Sequence, residues 1–223
     1  MMQQTPVHDA HNPDLLRLMR PNSKSVIEIG CSSGALAREY KKINSECDYF
    51  GVDIDESYLE RAKVFCDGVL ACDLDVAPLE FYQEHAARDC WVFGDTLEHF
   101  KDPWKVLRNI RQIIPASGTV VACIPNAQHW SLVAKLAIGD FRYVDSGLLD
   151  RTHLRWFSRQ TIVELFKDTG FEIEEGVPRI FSEPSRETFL PIIAHLAQAC
   201  GVEPSLAVND AIPLQWVVRA KPV

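Results

Sequence analysis

Apolar and polar positions along the first 125 residues fall into blocks that switch between two periods. Ser25–Ile29, Tyr49–Asp53, Val69–Ala71, Cys90–Gly94 and Thr119–Ile124 are short apolar runs with the length and side chains of buried strands. Between them, Ala35–Lys42, Glu56–Phe65, Pro78–Ala87 and Pro103–Ile114 carry helix formers. Asn12-Pro13-Asp14 marks an earlier helix, with an N-cap, a first-turn proline and an acid at the positive dipole end. Strands alternating with helices predict parallel strands joined by right-handed crossovers.

After Pro125 the regularity breaks. The pattern predicts a helix over Trp130–Ile138, a polar loop to Phe157 and a Ser158-capped helix ending at Gly170. Two strands follow, Phe171–Glu175 and Leu214–Ala220, with an apolar segment around Phe189–Cys200 between them, broken by Pro191. No Gly/Ser-rich linker intervenes. One domain is expected, with a core over about 12–125 and 171–220, a substrate cap over 126–170 and a helical insert over 186–200.

Composition narrows the function classes. A formal net charge of −8 argues against attachment to nucleic acid or anionic membrane. No basic run, membrane-length apolar stretch or signal-peptide pattern is present, so a cytoplasmic protein without membrane insertion is expected. The seven cysteines are scattered and contain no CxxC pair, which reads as reduced, buried thiols.

The candidate chemistry begins at the strand ends. In open parallel sheets, ligands bind beyond the carboxyl ends of the strands. Glu28, Asp53, Asp73 and Asp95 stand there, and no Lys or Arg lies in the first loop. Such a rim repels a pyrophosphate and favours a cationic nucleoside with hydroxyls and an exocyclic amine. Gly30-Cys31-Ser32-Ser33-Gly34 keeps only the outer pair of the G-x-G-x-x-G dinucleotide fingerprint. Asp53 lies about 20 residues on, the spacing of a ribose-binding carboxylate. Asp55 reads as the N-cap of the next helix, and Asp75 as a solvated neighbour of Asp73.

Five segments in order, VIEIGCSSG, YFGVDIDESYLERAK, ACDLD, WVFGDTLEHFKDPWKVL and IIPASGTVVACIPN, make the chain similar to class I S-adenosylmethionine-dependent methyltransferases. The resemblance runs from about Asn12 to Ala220. It implies a Rossmann-like α/β fold, a mostly parallel seven-stranded sheet with the last strand antiparallel and helices on both faces. It also implies S-adenosyl-L-methionine as cofactor and S-adenosyl-L-homocysteine as product. By resemblance, Glu28, Gly30, Cys31, Ser32 and Gly34 line the methionine end, and Asp53 takes the ribose hydroxyls. Ile54 packs on the adenine, Asp73 and Leu74 reach its amine, and Gly94 and Asp95 flank the methyl. Ser32 departs from the pattern, since many relatives have glycine there.

Methyl transfer to a hydroxyl needs alignment and a base. His99 and His129 are the candidate catalytic residues. DTLEH resembles the E-x-x-E-H segment of ubiquinone-pathway O-methyltransferases, where the triple is read as a metal site. Asp95, Glu98 and His99 at i, i+3 and i+4 are thus metal candidates, set against a purely structural role and an expectation of no metal. IPNAQHW resembles a branch associated with bacterial glycan and cell-surface biosynthesis. It implies that Asn126 and Trp130 contact a saccharide-like or other small-molecule acceptor. Arg151, His153 and Arg155 would share one face of an extended segment and hold an anionic group, or Asp150 would neutralise one arginine. Two rivals stay open: an NAD-dependent sugar-modifying enzyme and a non-catalytic adenosyl-binding module. A homodimer is a candidate assembly.

Overall fold

The central strands are apolar on both faces, so both faces need helical cover. The computed structural model describes residues 9–223. Strands β1 (Ser25–Ile29), β2 (Asp48–Asp53), β3 (Gly68–Ala71), β4 (Cys90–Gly94) and β5 (Thr119–Pro125) lie parallel. β6 (Phe171–Arg179) and β7 (Gln215–Pro222) complete a seven-stranded sheet in the order β3-β2-β1-β4-β5-β7-β6. β7 runs antiparallel to both its neighbours, as the resemblance implies.

The helices are α1 (Pro13–Leu18), α2 (Ala35–Ile43), α3 (Glu56–Ala62), α4 (Leu79–Glu84), α5 (Pro103–Ile113), α6 (Trp130–Ala137), α7 (Arg159–Asp168), α8 (Arg186–Ala199) and α9 (Pro204–Ala211). Leu15, Leu18, Leu36, Tyr40 and Leu59 of α1, α2 and α3 cover one sheet face. Phe81, Tyr82, Leu107, Ile110, Leu165 and Phe166 of α4, α5 and α7 cover the other. Among the described residues every cysteine is free, five are buried and Cys200 is exposed. No described helix is long and apolar enough to cross a membrane.

Three elements depart from the sequence pattern. β6 continues through Gly176 and Pro178 because it is an edge strand, where a proline costs no ladder bond. α8 runs unbroken through Pro191, whose missing i→i−4 bond falls on Glu187, an exposed residue. α9 was not expected, although Glu203 caps it and Pro204 opens it.

The chain winds from β1 out to β3 and returns to β4 on the other side of β1. The carboxyl ends of β1 and β4 therefore flank the switch point, where ligands of such sheets bind. Thr96 joins them: its hydroxyl is shared between the carbonyls of Ile29, at 3.0 Å, and Gly94, at 3.1 Å.

Candidate active site

The loop after β1 is built on left-handed residues. Gly30, Ser32 and Gly34 have φ of 77°, 47° and 76°. A Cβ on Gly30 would stand 2.6 Å from Thr96 Oγ1, and one on Gly34 3.1 Å from the Ala62 backbone. Ser32 adopts with a side chain the conformation that glycine favours. Its N–H donates to Asp53 Oδ2 at 2.8 Å, and Asp55 N–H donates to Asp53 Oδ1 at 3.0 Å. In dinucleotide loops such amides face the pyrophosphate. Here one faces a carboxylate.

The expected acidic rim needs correcting at Glu28. Its side chain is buried in the sheet face against α2, and its Oε2 accepts from Tyr49 Oη at 2.9 Å. Burial pushes its pKa up to about 8, with the Tyr49 hydroxyl opposing and Asp53 adding, so it carries little charge at neutral pH. Because the folded pKa lies above the ordinary 4.5, stability from this group is full below about 4.5 and is lost as pH rises towards 8. Glu28→Gln is expected to flatten that decline by roughly 1 kcal/mol per pH unit, measured as urea midpoints. An unchanged slope would place the titration elsewhere.

Cys31 and Leu74 also turn inward. The Cys31 thiol packs over Gly51, where a Cβ would meet its Sγ at 2.8 Å, and Leu74 belongs to the core. Ile54 is 53% exposed beyond β2, free to cover a flat ring. Asp73 accepts from Asp75 N–H at 2.9 Å. Asp75 is not merely solvated, for it accepts twice from Lys101 N–H. Asp95 is left-handed, with φ of 54°. Its Oδ1 accepts a hydrogen bond from Gln215 Nε2, while Gln215 Oε1 accepts from Arg179 at 2.8 Å. Sequence reasoning missed Thr96, Gln215 and Arg179. Gln215 reaches Asp95, just past β4, because β7 inserts beside β5, and Arg179 follows from the neighbouring strand β6.

On the acceptor side, the short 3-10 turn Leu97–His99 replaces the expected helical turn. It gathers Glu98 and His99 with His153 from the cap, while Asp95 stays close enough to act on Glu98 by its charge and on His99 through its backbone. The segment around His153 is a turn rather than an extended strand, with His153 N–H donating to Asp150 O at 3.1 Å. Arg151, His153 and Arg155 therefore share no face. Arg151 pairs with Asp145, Arg155 donates to the Lys101 carbonyl, and His153 is buried.

His129 is fully buried, with Nδ1 2.8 Å from Ser131 Oγ and Nε2 3.1 Å from Glu183 Oε2. Burial lowers its pKa, with Glu183 opposing. Trp130 donates to the same Glu183 oxygen at 2.9 Å and stacks on Phe189. Asn126 is buried too: its amide donates to Asp210 O and Pro213 O, and its Oδ1 accepts from Gln128 N–H. His129 and Trp130 thus tie the cap to Glu183 just before α8, and Asn126 ties the end of β5 to the end of α9. His99 differs. It is only half-buried, its Nδ1 lies 3.2 Å from Thr152 O, and its ring meets that of His153 edge to face.

The arrangement is that of a nucleoside-binding α/β transferase. The methyltransferase-domain family matches residues 8–175, and the chain belongs to that family. It is 26% identical over 191 residues to the malonyl-[acyl-carrier protein] O-methyltransferase of Brevibacillus brevis, covering 82% of this chain and 66% of that protein's length. Similar folds include a Thermotoga maritima protein described as a SAM-dependent methyltransferase, possible histamine N-methyltransferase. That match has a TM-score of 0.61 and 18% identity over 93% of this chain and 86% of that one. The magnesium protoporphyrin IX methyltransferase of Synechocystis, solved with bound SAH, has a TM-score of 0.60 and 13% identity over 95% of this chain and 80% of that one. At those identities the likeness is one of fold.

Proposed function

We propose that this chain is a class I methyltransferase that carries the methyl group of S-adenosylmethionine to an oxygen of a small-molecule acceptor. The observation that carries the reading is Asp53, held by the Ser32 amide opposite a loop with no cation and beside the exposed Ile54. A carboxylate oxygen that accepts one N–H keeps a lone pair for a ribose hydroxyl. The bound cofactor supplies a methyl on a sulfonium leaving group, so the protein's task is alignment and proton removal. Glu98, His99 and His153 are the titratable cluster beside β4 that suits proton removal.

A cleft of about 180 Å³ lies under the cap, lined by Leu132, Lys135, Val144, Leu148, Leu149 and Leu214 among others. It favours an acceptor with an apolar portion and an anionic end, such as an acyl carboxylate. The activity of the B. brevis relative is of that kind. A saccharide acceptor remains a second reading. Trp130, stacked on Phe189, is less suited to meet it than Phe141, Tyr143 and Trp156, which gather exposed on the cap.

Thermal shift tests the cofactor. S-adenosylhomocysteine at about 100 times its Kd is expected to add roughly 2.7 kcal/mol of stability, and NAD none. Stabilisation by NAD alone would sink the reading. Labelled methyl transfer to acyl carboxylates, phenols and nucleotide sugars then separates the acceptor classes.

A further inference from the structure

Glu98 is 1% exposed, and neither of its carboxylate oxygens has a hydrogen-bond partner. An unsatisfied buried carboxylate is costly, so such a group calls for a proton or a cation. What surrounds it decides between them. His153 Nε2 lies 3.9 Å from Glu98 Oε1, and the rings of His99 and His153 meet edge to face with centroids 4.8 Å apart. One ligand atom from each of the three residues falls within 4.8 Å of the others.

The imidazoles are already oriented. His99 Nδ1 is 3.2 Å from Thr152 O, and His153 Nδ1 is 3.3 Å from Leu148 O. A carbonyl only accepts, so each Nδ1 carries the proton, and the Nε2 of His153 presents its lone pair towards Glu98 Oε1. Backbone carbonyls that fix the tautomer in this way are the usual outer support of metal-bound histidines.

We propose that Glu98, His99 and His153 form a divalent metal site between the 3-10 turn and the cap. Two imidazoles and one carboxylate suit Zn²⁺ best and leave a fourth position for water or an acceptor oxygen. Ligands about 2.0–2.2 Å from Zn²⁺ stand about 3.4 Å apart, so the widest pair in the cluster must close by about 1.4 Å. Side-chain rotation supplies that. The backbone is already pinned, because Leu154 and Arg155 N–H both donate to the Glu98 carbonyl. Asp95 is not part of the set.

The site deepens the reading of this cluster as the place of proton removal, since a metal-bound hydroxyl loses its proton more easily. It also stands without that reading, because the test uses neither cofactor nor acceptor. The full chain, stripped with chelator and carrying Cys200→Ser to remove the exposed thiol, is titrated with Zn²⁺ against a chromophoric competitor. One equivalent is expected to bind and to raise the melting temperature. Glu98→Gln and His153→Ala should each weaken binding by roughly 100-fold or more, since even outer-shell partners are worth about 10–100-fold. Asp95→Asn, which removes a neighbouring charge but no ligand, should weaken it far less. Far-UV circular dichroism of each metal-free variant verifies folding, and a variant that fails is replaced by His99→Ala. No stoichiometric binding, or binding indifferent to Glu98 and the histidines, overturns the site and leaves Glu98 a protonated acid. Zinc uptake without S-adenosylhomocysteine binding would keep the site and remove the methyltransferase reading. The converse result would do the reverse.

Discussion

Gly30→Ala is expected to lower stability by about 2–4 kcal/mol and to weaken S-adenosylhomocysteine binding at least ~10-fold. Two costs combine. A residue with a Cβ pays about 1–2 kcal/mol for the left-handed conformation at φ 77°. The new methyl would also stand 2.6 Å from Thr96 Oγ1 and 3.2 Å from its Cγ2. Thr96 cannot swing away freely, because its hydroxyl is held by the carbonyls of Ile29 and Gly94. The melting temperature should fall by roughly 5–15 °C for a chain of this size. Gly139→Ala is the control: its φ is 74°, but nothing lies within 4 Å of the added Cβ. It should show the conformational cost alone. If the two variants melt together and Gly30→Ala binds product normally, the crowded crevice mouth at Thr96 has no energetic weight.

The second large effect separates two histidines that look equivalent along the chain. His99→Ala is expected to reduce methyl transfer by about 10²–10⁴-fold, with product affinity within roughly 3-fold of the parent. His129→Ala should instead destabilise the fold by about 1–3 kcal/mol, because it removes a buried ring that bonds Ser131 and Glu183. Any loss of turnover there should appear mainly in KM, through a looser cap. Melting curves and steady-state kinetics on both variants decide the matter. Transfer abolished by His129→Ala at an unchanged melting temperature, with His99→Ala fully active, would reverse the roles.

Much of the core was legible because its signals are local. β1 and β4 match the predicted Ser25–Ile29 and Cys90–Gly94, since an apolar run bounded by polar residues permits little else. The left-handed turn at Gly30 and Gly34, and the acid Asp53 held across it, were readable for the same reason: a strand, a tight turn and an acid at a set spacing are local signals. Edge elements read less well. Gly176 and Pro178 look like breakers until their strand is known to lie at the sheet edge. α9 has two cap signals but only a weak apolar face, so it was absorbed into a loop.

By itself, then, the sequence determined the alternating α/β core, the glycine-framed loop and the acids that follow the strands, because backbone preference and apolar period act over a few residues. Only the tertiary structure decided which side chains face the crevice. Glu28 and Asp53 both end strands, yet one is neutralised against Tyr49 in the core and the other is held across the loop. Glu98 and His99 gain His153 as a neighbour because a 3-10 turn and a cap turn, 54 residues apart at His99 and His153, meet in space. Burial and partnership across such separations set charge and tautomer, and no local pattern encodes them.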